Sequence, residues 1–401
     1  MRIRIIACCA AALALPACSS SPPTAAPSTV ATASPTPPSP SAPPSSSPTP
    51  TPTPSPTPSA DCVTKTLDGL TLAQRAGQLL MVGTSVNAPS GLGDTVRRYQ
   101  LGGVFLHGRS TNSAAELRAD IAGLQKRSGL PLLISLDQEG GNVQTLKGAD
   151  FPLLPSAQKL GAGSLPALRD TTKDSARRLD GIGVNINLAP VADTVPASLG
   201  VGNPPIGYWH RQFGSDPARV AADMRTVVPA SQGAGVLTVL KHFPGLGRVR
   251  ENTDTSTKAV DTTATVNDPY LEPFKAGIQA GSASVMMSSA KYPRLDPATI
   301  AAFSGPIVTG LLRERLGFRG LIMSDDLGAA VALSGVPVGQ RAVRFVAAGG
   351  DMALTIRPSD AAPMAGALID RASHDAAFRA RLTDGARHVL EAKKRAGLLR
   401  C

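Results

Sequence analysis

The chain has 401 residues, a length that suits two or three average domains or one large α/β barrel. Its formal charge at pH 7 is +11, and only 3% of its residues are aromatic. Because the basic residues are dispersed and have no aromatic stacking platform beside them, we expect no nucleic-acid partner. The positive charge favours acidic polymers or lipid headgroups instead.

Residues 1–18 have the pattern of an export signal. They begin with the basic residues Arg2 and Arg4, continue with an apolar run from Ile5 to Leu15, and end in Leu-Pro-Ala-Cys. This run is too short for an ordinary transmembrane helix. The ending is similar to that of bacterial lipoprotein signals, which predicts that Cys18 carries a lipid. The alternative is an ordinary cleaved secretory signal, and both interpretations export the protein.

Residues 19–60 are composed almost entirely of Pro, Ser, Thr and Ala, and residues 1–60 contain no Asp, Glu or Lys. Such a segment cannot bury a core, so it predicts a disordered tether that reaches at most about 130 Å at about 3.1 Å per residue. The folded domain is then expected over residues 62–401. Removing Arg2 and Arg4 leaves 38 basic and 29 acidic residues, a charge of +9, on the folded part.

Cys62 and Cys401 bracket this folded domain. In an oxidising compartment the simplest pairing is a disulfide between them, which would join the two ends of the domain. The alternative is two free thiols. Together these features predict an exported protein that is anchored to the outer face of the cell membrane through a lipid on Cys18, and the expected oligomeric state is a monomer.

From residue 77 onward, short apolar segments alternate with stretches of helical periodicity. This rhythm is typical of parallel strands joined by helices. Eight βα units predict a (β/α)8 barrel, and an open doubly wound sheet is the rival architecture. The eight apolar segments are residues 77–84, 102–108, 130–141, 183–193, 237–245, 283–293, 320–328 and 349–356, and the clearest helices are expected within 113–129, 216–235 and 268–282.

Polar and charged residues recur directly after the predicted strands, where barrel enzymes carry their chemistry. Two carboxyl groups can cleave a glycosidic bond if one attacks the anomeric carbon and the other protonates the departing oxygen. Asp325 follows the apolar run GLIM and is our candidate nucleophile. The competing interpretation is a helix N-cap, a role that also suits its neighbour Asp326.

Four motifs in the same order resemble glycoside hydrolase family 3, in particular its β-N-acetylhexosaminidase branch. The most specific is KHFPGLGRVRENTDTS, residues 241–256, because that branch carries KHFPGHG, then four residues, then Asp-Ser-His. The resemblance extends over residues 68 to about 395. The other motifs are DQEGG at 137–141, HRQFGSDP at 210–217 and SDDLG at 324–328.

The resemblance implies a barrel-only enzyme that removes terminal β-linked N-acetylglucosamine with retention of configuration. It assigns the nucleophile to Asp325. It also implies that Asp137, Arg211, Lys241 and His242 hold the hydroxyl groups of the sugar. The structural alternative is that Lys241 and Arg211 neutralise Asp137 and Asp325, and that His242 is a core histidine.

The sequence departs from the family at the acid/base position. Asn252, Thr253 and Asp254 stand where relatives have Asp, Ser and His, so Asp254 is our hypothesis for the acid/base. An exposed Asp titrates at about pH 4 and would need a raised pKa to donate a proton near neutral pH. Two further departures, Asn142 after DQEGG and Leu246 in place of the second His of KHFPGHG, are expected to touch the rim of the sugar site.

Two functions follow from these features. The first is an exoglycosidase acting on N-acetylglucosamine-containing saccharides of the cell-wall type. The second is a catalytically impaired sugar-binding or wall-associated lipoprotein that lacks the family's acid/base dyad. No cofactor is expected, because no nucleotide-binding loop is present. The five histidines show no paired ligand spacing, so no metal site is predicted either.

Overall fold

The computed structural model describes residues 61–399. The predicted signal, the predicted tether, the predicted lipidation site Cys18 and the predicted disulfide partner Cys401 therefore lie outside the described residues. Cys62, at the start of the first helix, is disulfide-bonded. No helix within residues 61–399 is long and apolar enough to cross a membrane.

Eight parallel strands close into a barrel, in which each strand pairs with the next along the chain and β8 pairs with β1. Met81 on β1 lies opposite Gly103 on β2, and Leu80 on β1 lies opposite Ala353 on β8. This closure confirms the barrel and excludes the open sheet. The strands are β1 Leu80–Ser85, β2 Gly103–His107, β3 Leu133–Leu136, β4 Ile186–Asn187, β5 Leu237–Phe243, β6 Ser284–Met287, β7 Leu321–Asp326 and β8 Met352–Thr355.

Helices surround the barrel, and all three of the clearest predicted helices are present at α4, α7 and α8. Several begin with a polar cap, as α4 does where Ser113 accepts from the backbone N–H of Glu116. The helices are α1 Cys62–Asp68, α2 Leu72–Gln78, α3 Gly93–Tyr99, α4 Ala114–Gln125, α5 Ala157–Gly161, α6 Leu165–Asp180, α7 Pro217–Gln232, α8 Glu272–Gln279, a π-helical segment Pro306–Arg315, α9 Val338–Ala347, α10 Ala361–His374 and α11 Ala376–Arg395.

The inside of the barrel is packed with large apolar side chains, so it is a core and not a channel. Met81, Met323 and Met352 are fully buried there. Helix α11 contributes Val389 and Ala392 to the same cluster and closes the end of the barrel at which the strands begin. The opposite end, where the strands finish, is the end at which barrel enzymes carry their chemistry.

Two β-hairpins lie at the end of the barrel where the strands finish. One pairs Gln138–Gly140 with Val143–Gln144 directly after β3, and the other pairs Lys291–Tyr292 with Asp296–Ile300 after β6. The first hairpin contains the DQEGG motif. The fold therefore places this motif at the mouth of the barrel.

Candidate active site

A cavity of about 560 Å³ opens at the carboxyl ends of the strands. All six residues to which the sequence assigned catalysis or sugar binding line it. They are Asp137, Arg211, Lys241, His242, Asp254 and Asp325.

Glycines in two of the motifs allow the backbone geometry of this mouth. In DQEGG, Gly140 has φ +100° and Gly141 has φ +56°, a region that favours glycine. In KHFPGLG, a Cβ atom on Gly247 would lie 1.9 Å from the carbonyl oxygen of Thr194. Position 247 therefore needs glycine, because the loop after β5 passes very close to the segment after β4.

The floor of the cavity is a network of buried charges. Lys241 Nζ lies 2.7 Å from Asp137 Oδ1 and 2.6 Å from Glu139 Oε1. Arg211 donates to both carboxylate oxygens of Glu139, from Nε at 2.8 Å and from Nη2 at 2.7 Å. Lys241 thus pairs with Asp137 as the structural alternative proposed, whereas Arg211 pairs with Glu139 instead of Asp325.

Charge balance keeps this network ionised. Burial alone would raise the pKa of Glu139, but the charges of Arg211 and Lys241 outweigh it and lower that pKa to about 2. Burial likewise opposes the charged form of Lys241, yet Asp137 and Glu139 raise its pKa overall. Glu139 and its two cationic partners are therefore held in their charged forms.

His242 is oriented by Asp193. His242 Nδ1 lies 2.8 Å from Asp193 Oδ2, and the other carboxylate oxygen of Asp193 accepts from the backbone N–H of Leu246 at 2.6 Å. Arg211 Nη2 approaches His242 Nε2 at 3.5 Å, and because a guanidinium only donates, this contact assigns the ring proton to Nδ1. His242 is buried as a core histidine would be, but it also lines the cavity.

Asp325 and Asp326 have different surroundings at the end of β7. Asp326 Oδ1 accepts from the backbone N–H groups of Gly328 and Ile356, and Asp326 Oδ2 accepts from that of Ala329. Asp326 therefore fixes the turn after the strand, as a capping residue does. Asp325 is half-buried, and its side chain borders the cavity.

Asp254 reaches the same cavity from the long loop after β5. The backbone N–H of Asp254 donates to Asn252 Oδ1 at 2.9 Å. The loop is also joined to the segment after β7, because Val331 N–H donates to the Asp254 carbonyl at 3.3 Å and Ala332 N–H donates to the Thr253 carbonyl at 3.0 Å. These contacts hold the two candidate catalytic loops together.

The pKa of Asp254 is raised to about 6, first by loss of hydration and then by the negative charge of Asp325. Asp254 is still exposed at the rim of the cavity. A bound substrate would displace part of its remaining water, which would favour the protonated form further. The direction of this shift is the one that proton donation near neutral pH would need.

Sequence reasoning assigned no role to several residues of the site. Glu139 lies within DQEGG and Asp193 follows β4, so their positions after strands were the available signal. Trp209, the only tryptophan of the chain, carries no such signal, yet it lines the cavity. The two departures at Asn142 and Leu246 also border it, as expected.

Residues 71–392 match the family described as the glycosyl hydrolase family 3 N-terminal domain. The chain belongs to glycoside hydrolase family 3. Among family relatives, it is 36% identical over 274 residues to a β-hexosaminidase of Xanthomonas oryzae pv. oryzae, which covers 66% of this chain and 79% of that protein.

Solved structures of family 3 enzymes superpose on the barrel. The β-N-acetylhexosaminidase of Beutenbergia cavernae is 42% identical with a TM-score of 0.78, covering 81% of this chain and 99% of that one. The family 3 β-N-acetylglucosaminidase of a Paenibacillus species is 29% identical with a TM-score of 0.75, covering 82% and 63% of the two chains. These relatives favour the hydrolase over the sugar-binding alternative.

We predict that Glu139→Gln destabilises the fold by about 3 kcal/mol, because it leaves the buried Arg211 without a charged partner. Urea unfolding would measure the change. Asp137→Asn is the control, since Asp137 is 26% exposed and its loss leaves Lys241 paired with Glu139. Equal costs for the two changes would contradict the central position of Glu139.

Proposed function

We propose that this protein is a retaining glycoside hydrolase that releases terminal β-linked N-acetylglucosamine. The observation that carries the proposal is that Asp325 and Asp254, two carboxyl groups of different character, line one cavity above a floor of fixed polar groups. The family membership and the relatives named β-hexosaminidase support the same substrate class.

In the first step Asp325 attacks the anomeric carbon, and the glycosidic bond breaks as Asp254 gives its proton to the leaving oxygen. The products are a glycosyl ester on Asp325 and the free alcohol of the leaving group. Asp254 suits the donor role because its pKa of about 6 leaves a useful protonated fraction at mildly acidic pH.

In the second step Asp254, now a carboxylate, takes a proton from water, and the oxygen of that water attacks the anomeric carbon and releases Asp325. The electrostatics favour this change of role. The charge of Asp325 is one cause of the raised pKa of Asp254, and that charge disappears when the ester forms. The pKa of Asp254 then falls, so the same group becomes a base.

The floor holds the sugar through groups that the internal pairs leave unused. Lys241 has three N–H donors and directs two of them to Asp137 and Glu139, so the third remains for a hydroxyl group. Asp137 is partly exposed and can accept from a hydroxyl. Arg211 donates to Glu139 and to the Pro205 carbonyl, so its main contribution is to orient its neighbours.

The first test is turnover of 4-methylumbelliferyl β-N-acetylglucosaminide by the purified protein from acid to neutral pH. We expect Asp325→Asn to lower the rate by about 10³-fold or more, because an amide cannot form the glycosyl ester. Asp94→Asn, the same change at an exposed residue that does not line the cavity, should have no effect. Absence of turnover in folded wild-type protein would contradict the proposed substrate.

The second test concerns Asp254. For a saccharide leaving group, kcat/KM should be high below about pH 6 and decline above it, because only the protonated carboxyl can donate. Asp254→Ala should remove this decline and lower the rate by about 10²-fold or more, with a smaller loss for an aryl leaving group that departs without protonation.

Glu251→Gln is the matched control, because Glu251 is an exposed carboxylate on the same loop. It should leave both the rate and the pH profile unchanged. Retention of half the wild-type rate on the saccharide substrate by Asp254→Ala would rule out Asp254 as the acid/base.

We further propose that the enzyme is exported, tethered to the membrane by a lipid on Cys18, and monomeric. The proposal is supported by the pattern of residues 1–60 and by the disulfide at Cys62, a bond that forms in oxidising compartments. Pairing of Cys62 with Cys401 is part of the same proposal. The saccharides within reach of such a tether would be those of the cell wall.

Cys18→Ala should move the protein from the membrane fraction to the soluble fraction and abolish incorporation of labelled palmitate. Cys9→Ala, within the same signal, should leave both properties unchanged. Equal labelling of the two variants would exclude Cys18 as the lipidation site.

A further inference from the structure

One side of the cavity mouth is a wall built by three loops. Arg109, on the loop after β2, donates from Nη2 to the Asn142 carbonyl at 3.2 Å. Asn142, on the hairpin after β3, donates from Nδ2 to the Trp209 carbonyl at 3.5 Å. Trp209 lies in the segment after β4. These bonds link the three loops into a continuous edge, which we call the aromatic wall.

The indole of Trp209 is exposed but its backbone is held in place. Trp209 is 43% exposed and lines the cavity. The backbone N–H of Trp209 donates to the Ile206 carbonyl at 3.2 Å. The backbone N–H of Tyr208 donates to the carbonyl of the buried Asn203 at 2.9 Å. The Asn203 side chain in turn donates to the carbonyls of Leu246 and Val249 on the loop after β5. The turn that carries Trp209 is thus clamped to the site.

The ring is also supported from one side. Tyr208 meets Trp209 edge to face, with ring centroids 5.0 Å apart and an interplanar angle of 84°. A large aromatic ring that is kept at the mouth of a polar cavity exposes apolar surface to water, which is unfavourable unless something covers it. Its position therefore points to an occupant of the cavity.

In the proposed reaction the leaving group lies beside Asp254, which protonates its oxygen. Asp254 is on the loop after β5, the neighbour of β4 in the barrel, and Asn203 bonds that loop to the turn that carries Trp209. Trp209 belongs to the arc of β2, β3 and β4, whereas Asp325 ends β7 on the other side of the barrel. The terminal sugar occupies the charged floor, so the group attached to it extends from the floor towards the mouth. The aromatic wall offers this group an exposed aromatic face beside the Asp254 loop.

We infer that Trp209 is a specificity-determining residue that stacks against the ring of the leaving group. The inference rests on the proposed hydrolase function and narrows its substrate class to β-N-acetylglucosaminides whose leaving group is itself a ring, such as a second pyranose. The negative face of the indole attracts the C–H groups on one face of a pyranose. A leaving group without a ring would leave Trp209 uncovered.

The single tryptophan makes the contact directly measurable, because tryptophan fluorescence of this chain arises from Trp209 alone. In the Asp325→Asn protein, which cannot turn over substrate, N,N′-diacetylchitobiose should shift the emission to shorter wavelength. N-acetylglucosamine alone should bind without this shift. A shift produced by anionic lipid vesicles and by neither saccharide would overturn the inference.

Steady-state kinetics provide a second test of the role of Trp209. Trp209→Ala should lower kcat/KM for N,N′-diacetylchitobiose by about tenfold, within the range that aromatic contacts provide. It should leave kcat/KM for N-acetyl-β-glucosaminyl fluoride, which has no ring to lose, nearly unchanged. Trp209→Tyr should restore most of the loss, and Tyr208→Phe, which keeps its ring, is the matched control.

Failure of this inference can be told apart from failure of the proposed function. Suppose that the wild-type protein turns over both substrates and that Trp209→Ala lowers kcat/KM equally for the two. This result would overturn the role of Trp209 and leave the proposed hydrolase function intact. A disaccharide-specific fluorescence shift without turnover of either substrate by wild type would support the role of Trp209 and contradict the hydrolase.

Discussion

The carboxylate of Glu139, held between Arg211 and Lys241, is the interaction on which the site depends. Its three members come from the hairpin after β3, the segment after β4 and strand β5, so one buried charge ties three consecutive parts of the barrel mouth together. Removing these charges from water is costly, and mutual pairing offsets that cost only while every member is present. In return the floor keeps its donors and acceptors oriented before any sugar arrives, which lowers the reorganisation needed during reaction.

A second constraint is the like charge of Asp254 and Asp325. Where relatives use a histidine, this chain has a carboxyl group that would be ionised at neutral pH if it were free in water. Loss of hydration and then the charge of the neighbouring Asp325 raise its pKa to about 6, and in the proposed mechanism that neighbour loses its charge when the intermediate forms. An aspartate can therefore donate and accept one proton at the proper stages without an imidazole. In the proposed mechanism this replacement changes the pH range of proton donation and keeps the order of the steps.

The floor and the rim of the cavity differ in construction and in how far they follow the family motifs. The floor is built on strand ends and keeps the family motifs, whereas the rim is built on loops and carries the departures at Asn142 and Leu246. The substitution at Leu246 is compatible with the site because its contribution to Asp193 comes from the backbone N–H, which every residue except proline possesses. Asn142 contributes through its carbonyl and its side chain to the aromatic wall. Both departures therefore leave the orientation of His242 intact.

The sequence by itself predicted eight strands, because apolar periodicity is a local property of the chain. The position of polar residues after these strands pointed to Asp137, Lys241, His242 and Asp325. The motifs shared with family 3 added Arg211 and Asp254 and decided between the barrel and the open sheet. It also identified Asp254 as the candidate that replaces the missing histidine. The sequence did not determine which of the polar and charged residues of the site form pairs. Lys241 and Asp137 are 104 residues apart, Arg211 and Glu139 are 72 apart, and His242 and Asp193 are 49 apart. These partners meet only because the barrel closes. The pKa of Asp254 is likewise raised by loss of hydration in the cavity and then by the charge of Asp325, which a different strand brings to the same place. Burial and distance between such groups are properties of the tertiary structure, so only the fold could decide which charges are neutralised and which remain for the substrate.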